Sequence, residues 1–192
     1  MRRNEISLTL RLCVAMMFVL VGCGGGDGRD ENATIKAVVF DSGRGSGTED
    51  KQTYAKYQSE ILFTPQADMT VSSIKPDMWY CNGTCEYTAT IRDEFQGYLA
   101  SQTGRIYGND TEDINLPARN LNSVVQMKTD TAYRIVLEAS STKSVGIYTT
   151  GDRITGTLGQ AQFSVVYARS VIDATHTVDH IDRGGISFQL LQ

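Results

Sequence analysis

The chain is poor in the residues and motifs on which most enzyme chemistry depends. It has only three prolines, two histidines and one tryptophan among 192 residues. Its lysines and arginines form no cluster or stripe, which argues against a nucleic-acid-binding surface. It also has no Gly-x-Ser-x-Gly motif, and the glycine-rich segment 43–47 lacks the lysine of a phosphate-binding loop. We therefore expect a protein that is not an enzyme.

The first 23 residues carry the clearest signal in the sequence. Three arginines precede an apolar run over residues 12–21, and the segment ends in the motif L-V-G-C with Cys23 last. As a helix, the apolar run would extend only about 15 Å, which is half the thickness of a hydrocarbon core. It therefore has the length of a signal peptide. The alternative is an ordinary secretory signal, in which Cys23 has no special role.

This pattern resembles the signal of bacterial lipoproteins. The resemblance implies cleavage before Cys23, acyl chains on that cysteine and stable attachment to a membrane outside the cytoplasm. Gly24 stands where inner-membrane lipoproteins of enteric bacteria carry aspartate, which implies the outer membrane, on its periplasmic face or at the cell surface. We accordingly predict a signal peptide over 1–22, a lipidated cysteine and flexible glycine-rich tether over 23–32, and one folded domain over 33–192.

The remaining cysteines indicate a disulfide. Without residues 1–22 the chain has 15 basic and 21 acidic side chains, a net charge of −6, and its only other cysteines are Cys81 and Cys85. Such a pair in an oxidising compartment forms a structural bridge, here around Asn82-Gly83, which is typical of a turn. Two thiolates alone do not fill a zinc site, and the spacing is not that of a redox motif. A loop this short contributes about 2 kcal/mol at most.

Short β-rich runs separated by turn residues fill the rest of the chain. Residues 87, 89 and 91 alternate with polar residues 86, 88 and 90, and residues 133, 135 and 137 alternate in the same way. Period-two alternation predicts strands with one buried face, and no segment carries an apolar stripe at helical spacing. Strands are predicted over 33–40, 58–64, 70–74, 85–92, 97–101, 122–127, 133–139, 145–149, 159–169 and 185–191. The predicted fold is all-β: one antiparallel β-sandwich, jelly-roll-like, after the tether.

Several of these runs also resemble jelly-roll modules of bacterial secreted and surface proteins. The similar segments are 61–65 (ILFTP), 71–74 (VSSI), 87–93 (YTATIRD), 97–101 (GYLAS) and 131–137 (TAYRIVL). Many members of that group have no known function, and relatives with similar folds bind carbohydrate. The resemblance implies the fold and a possible carbohydrate ligand, and it carries over no binding residue.

The most specific candidate for a ligand site is aromatic. Trp79 and Tyr80 directly precede the predicted disulfide loop, and Asn82 lies within it. The face of an aromatic ring suits the C–H face of a sugar, and neighbouring polar groups such as Asp77 and Glu86 would bind its hydroxyls. A tryptophan buried in the core is the alternative.

Two metal sites are weaker hypotheses. His176 and His180 lie among three aspartates within residues 173–182, and such side chains are zinc ligands, although a solvated polar loop between the last two strands is the alternative. Structural calcium is possible through loop carboxylates, either Asp41, Glu49 and Asp50 or those in segment 108–113, namely Asp110, Glu112 and Asp113.

These observations favour a membrane-anchored extracytoplasmic lipoprotein whose β-sandwich binds a ligand, with a glycan as the leading candidate. The alternative is a structural or assembly lipoprotein that docks a protein partner of the cell envelope.

Overall fold

Long strands dominate the computed structural model of the chain. It describes residues 36–44, 51–112, 114, 116, 118–151, 161–171, 177–179 and 184–192, with the backbone alone at 51–53, 109–112 and 171. All of them fall within one compact unit, Ile35–Gln192. No helix in these ranges is long and apolar enough to cross a membrane.

Strands account for nearly all of the regular structure. Those within the described ranges are β1 (Val38–Asp41), β2 (Lys51–Pro65), β3 (Met69–Val71), β4 (Ser73–Pro76), β5 (Met78–Asp93), β6 (Tyr98–Glu112), β7 (Val125–Met127), β8 (Tyr133–Tyr148), β9 (Ala161–Val171), β10 (Thr177–Asp179) and β11 (Phe188–Leu191).

The strands form antiparallel sheets that pack as a sandwich. The large sheet has the order β10-β9-β2-β8-β5-β6, and the small one has the order β1-β11-β4. Strands β3 and β7 make a separate pair. The prediction of an all-β antiparallel sandwich is therefore confirmed.

The predicted alternation is confirmed in the middle of the large sheet. Tyr87, Ala89 and Ile91 on β5 are at most 2% exposed, and the side chains between them are partly exposed. The same alternation runs along β8 from Tyr133 to Leu137. One face of each strand is thus buried, as period two requires. Burial also raises the pKa of Tyr87.

An aromatic cluster joins the two sheets. Phe40 and Phe188 of the small sheet pack against Phe63 and Phe163 of the large one, and the ring centroids of Phe40 and Phe63 are 4.9 Å apart. Each buried phenylalanine contributes about 1.5–3 kcal/mol through loss of apolar surface from water. The cluster is therefore a major source of cohesion between the layers.

Most strand boundaries differ from the predictions, since β2, β5 and β6 are longer than predicted, and three segments are also organised differently. The predicted strands 133–139 and 145–149 are one strand, β8, because β2 and β5 pair with it on both sides along nearly its whole length. The predicted strand 70–74 is divided between β3 and β4, which belong to different sheets. A short strand, β10, lies between the predicted strands 159–169 and 185–191, where none is predicted, and it pairs with β9.

The two ends of the large sheet differ in how β5 pairs with β8, which is regular at one end and bulged at the other. At the end that we call the hairpin end, residues 94–97 join β5 to β6 through a tight turn, in which Gly97 N and Phe95 N both donate to Asp93 Oδ1. At the opposite end, which we call the bulged end, β5 begins at Met78 beside the last residues of β8. A 16-residue strand extends up to about 50 Å, so the two ends are far apart.

Candidate binding pocket at the bulged end

A β-bulge determines where Trp79 lies. Met78 pairs with Ile147 and Tyr80 pairs with Gly146, so Trp79 is an extra residue on β5. A bulge disturbs strict alternation and redirects side chains. Met78 and Cys81 accordingly point into the core, whereas both Trp79 and Tyr80 between them are partly exposed. Trp79 is therefore not a core residue.

The indole ring of Trp79 lies against β8. A Cβ atom at Gly146 would come within 2.7 Å of Cε2 of Trp79 and 2.6 Å of Cβ of Tyr80. The indole Nε1–H donates to the carbonyl oxygen of Ile147 at 3.2 Å. The ring of Tyr80 is 5.4 Å from that of Trp79. Glycine at position 146 thus lets the ring pack close to the sheet in a fixed orientation.

Beside this ring is a surface pocket of about 220 Å³. It is lined by residues from the segment after β1, from β4 and the start of β5, and from the end of β8. Its lining residues are Arg44, Lys75, Pro76, Asp77, Met78, Trp79, Ile114 and Tyr148.

A network of polar contacts orders the charged side of the pocket. The guanidinium carbon of Arg44 lies 3.8 Å from the centroid of the Tyr148 ring, and its Nε is 3.5 Å from Oδ2 of Asp77. Ser187 Oγ donates to the same carboxylate oxygen at 2.9 Å. Asp77 is also held through its backbone, because its carbonyl accepts from Tyr148 N.

These contacts orient Arg44 more than they stabilise the fold. Its side chain is 52% exposed, and an ion pair at such a site contributes about 1 kcal/mol or less. The stacking on Tyr148 adds about 0.5–1 kcal/mol. Arg44 is thereby held at the pocket with guanidinium donors that a ligand can reach.

The predicted disulfide is present, and it closes a sharp bend within a long strand. Cys81 and Cys85 are bonded within β5, with 6.0 Å between their Cα atoms. A second bulge between Cys81 and Gly83 shortens the strand here, and Gly83 has φ of +83°. The chain therefore bends sharply at Asn82-Gly83, as predicted for a turn, and the strand pairing nevertheless continues on both sides of the bend. Both cysteines are fully buried.

The structure brings together some of the predicted site residues and separates others. Trp79 lines the pocket with Asp77, and Tyr80 contacts Trp79 without lining it. Asn82 lies at the second bulge, where its carbonyl accepts from Ser141 Oγ, and it does not line the pocket. Glu86 pairs with Arg105 instead.

Sequence reasoning missed Arg44, Lys75 and Tyr148. Arg44 belongs to a glycine-rich segment for which the sequence predicts no site, and Tyr148 belongs to a predicted strand with no assigned role. Their only local signal is residue type, an arginine and a tyrosine suited to stacking. Long-range pairing brings them together, and the sequence gives no local sign of it.

Several predicted sites lie outside the described residues. They are Cys23, His176, His180, Glu49, Asp50 and Asp113, as well as the side chains of Asp110 and Glu112. Asp41 is described, and its carboxylate accepts from Gly43 N and from Gln189 Nε2. Within the described ranges, no group of three or more histidine, cysteine, aspartate or glutamate side chains is placed to hold a metal ion.

No known protein family matches the chain, and no curated protein matches it either.

Chemically, the pocket combines an aromatic face with fixed polar groups. Trp79 offers a ring surface, Arg44, which stacks on Tyr148, offers donors, and Asp77 offers an acceptor. Among the described residues that line it, Asp77 is the one carboxylate, whereas glycoside hydrolysis ordinarily uses two. The arrangement suits binding of a polar ring.

Proposed function

We propose that this protein is a lipid-anchored, extracytoplasmic glycan-binding protein without catalytic activity. The observation that carries the proposal is the bulge at Trp79, which turns the chain's one tryptophan out of the core and into a pocket with Arg44, Asp77 and Tyr148. A partly exposed tryptophan ring beside ordered polar groups is the combination found in ligand sites, which are mostly apolar with a few fixed polar groups.

The pocket favours a saccharide over a wholly apolar ligand. Sugars present an apolar C–H face and a rim of hydroxyl groups, which match an aromatic face and flanking hydrogen-bonding groups. Pockets for drug-sized ligands span about 300–1,000 Å³. The pocket here, of about 220 Å³, is smaller, which favours contact with a single ring of a glycan chain.

The anchor is the second part of the proposal. The basic start, the short apolar run and Cys23 support a lipoprotein that is held at the outer membrane. An extracytoplasmic location also agrees with a disulfide at Cys81–Cys85.

The test is binding of the full protein to an array of bacterial and host polysaccharides, followed by titration of the best ligand. We expect Trp79→Ala to weaken binding about tenfold or more, because an aromatic contact of about 1.5 kcal/mol corresponds to that factor. Tyr107→Ala is the matched control, since Tyr107 is a 77% exposed aromatic on β6 outside the pocket. An affinity of Trp79→Ala equal to that of the parent would refute the site, provided that both melt alike.

One observation favours a structural lipoprotein as the second candidate. Strand β6 is an edge of the large sheet. The backbone N–H and C=O of Ser101 both bond to Asn122, on the side of β6 that faces away from β5. In an antiparallel strand the backbone groups that face one side recur at every second residue, so those of Thr103, Arg105 and Tyr107 also face away from β5. An exposed edge of this kind can accept a strand from a partner. A silent glycan array, with one stoichiometric envelope protein recovered from membranes, would favour this function.

A further inference from the structure

Three strongly exposed apolar side chains lie together at the hairpin end. Phe95 in the β5–β6 turn is 83% exposed, Tyr98 is 57% exposed and Val124 is 58% exposed. These three are among six large apolar side chains that are prominently exposed in the described part of the chain. An exposed phenylalanine at the tip of a hairpin contributes nothing to the core, so its surface is available to a partner.

The described chain begins on the same side of the molecule. Lys36 Nζ donates to Ser72 Oγ at 3.2 Å and also to Asn120 Oδ1. Leu121 N donates to the carbonyl of Ser72 at 2.8 Å. The next residue, Asn122, donates to the Tyr98 hydroxyl at 2.5 Å. A continuous run of contacts thus links the first described residue to Tyr98.

From Lys36, the chain runs away from the hairpin end. Strand β1 runs from Val38 to Asp41 and pairs with β11, which pairs in turn with β4. Arg44, three residues after Asp41, lines the pocket. Strand β4 runs in turn from Ser73 toward Asp77 and the start of β5. The first described residue, Lys36, and the pocket therefore lie at opposite ends of the small sheet.

From these positions we propose that the hairpin end rests on the lipid bilayer, with Phe95 and Tyr98 in the headgroup region. The inference rests on the proposed anchor at Cys23. Twelve residues separate Cys23 from Lys36, so the anchor lies at most about 45 Å from the entry point. Aromatic side chains favour the membrane interface, where they add to the affinity of an acyl anchor. This orientation directs the pocket away from the membrane, toward glycans in the surrounding space.

The test uses the full lipidated protein in vesicles of phosphatidylethanolamine and phosphatidylglycerol. An environment-sensitive fluorophore is attached at Phe95→Cys and, as the control, at Tyr107→Cys. Tyr107 is 77% exposed, close to the 83% of Phe95, and lies nine residues beyond Tyr98 on β6. Cys81 and Cys85 are bonded to each other and do not react. With spin-labelled lipids, we expect the probe at position 95 to lose most of its emission and the probe at 107 to keep it.

The intact mass of the mature protein separates two kinds of failure. If Cys23 carries acyl chains and both probes are quenched only weakly, the proposed orientation is wrong but the lipid anchor is supported. If both probes are quenched strongly, the domain lies flat and the orientation is also wrong. A mature chain without acyl mass would overturn the anchor and the orientation with it.

Discussion

The hairpin end and the bulged end of the large sheet are built from the same strands, and they differ in what their irregularities do. Toward the hairpin end, β5 and β8 alternate regularly and bury Ile91 and Ile135 in the core. Toward the bulged end, two bulges and a disulfide interrupt β5, and Trp79 leaves the core to line a pocket. Regular pairing supplies stability, and the departures from it create a surface suited to a ligand.

The largest effect should come from damage to the regular half. Ile91 is fully buried, so Ile91→Ala should lower the free energy of unfolding by about 2–5 kcal/mol through lost burial and the cavity left behind. Thr90→Ala, on the partly exposed face of the same strand, is the control and should change stability by about 0.5 kcal/mol or less. Urea unfolding measures both. Equal losses would show that this half is not packed as described.

A smaller and more local effect is expected at the bulged end. A methyl group at position 146 would overlap Trp79 and Tyr80, so Gly146→Ala should cost about 1–3 kcal/mol and displace the indole ring. Trp79 is the one tryptophan in the chain, and its emission therefore reports this site alone. The emission maximum should shift in Gly146→Ala and stay constant in Ser144→Ala, two residues earlier on β8. An unchanged spectrum in both would contradict the packing of Trp79 on Gly146.

The same contrast explains which features of the fold and of the pocket could be predicted from the sequence. Period-two alternation at Tyr87, Ala89 and Ile91 is a local pattern, so the strand and its buried face could be predicted from it. The bulge at Trp79 depends on pairing with Gly146, which is 67 residues away in sequence. Nothing near Trp79 marks the extra residue, and Asn82-Gly83 predicts a bend but not the strand pairing that continues beyond it. The pocket depends on Arg44 and Tyr148 as well, so only its tryptophan and Asp77 could be predicted.

The smallest effect is electrostatic and belongs to the hairpin end. Lys128 Nζ lies 2.7 Å from Oδ2 of Asp68, and Thr129 N donates to its Oδ1 at 2.9 Å. The hydrogen bond from Lys128, followed by that from Thr129, holds the pKa of the Asp68 carboxyl below its usual range. A carboxyl with a lowered folded-state pKa stabilises the fold above its unfolded pKa of about 4, and that stability is lost as the pH falls through the folded pKa.

Asp68→Asn should therefore flatten the acid side of the stability–pH curve slightly, with no change in the shape of the curve between pH of about 6 and 8. Both partners are more than half exposed, so the effect should be small and should shrink further as salt is added. Urea midpoints of the parent and variant across the acid range, at low and high salt, measure it. Because the pair lies beside β3 and β7, far from Trp79, the tryptophan emission should stay the same throughout. A steeper acid loss in the variant than in the parent would contradict the lowered pKa of Asp68.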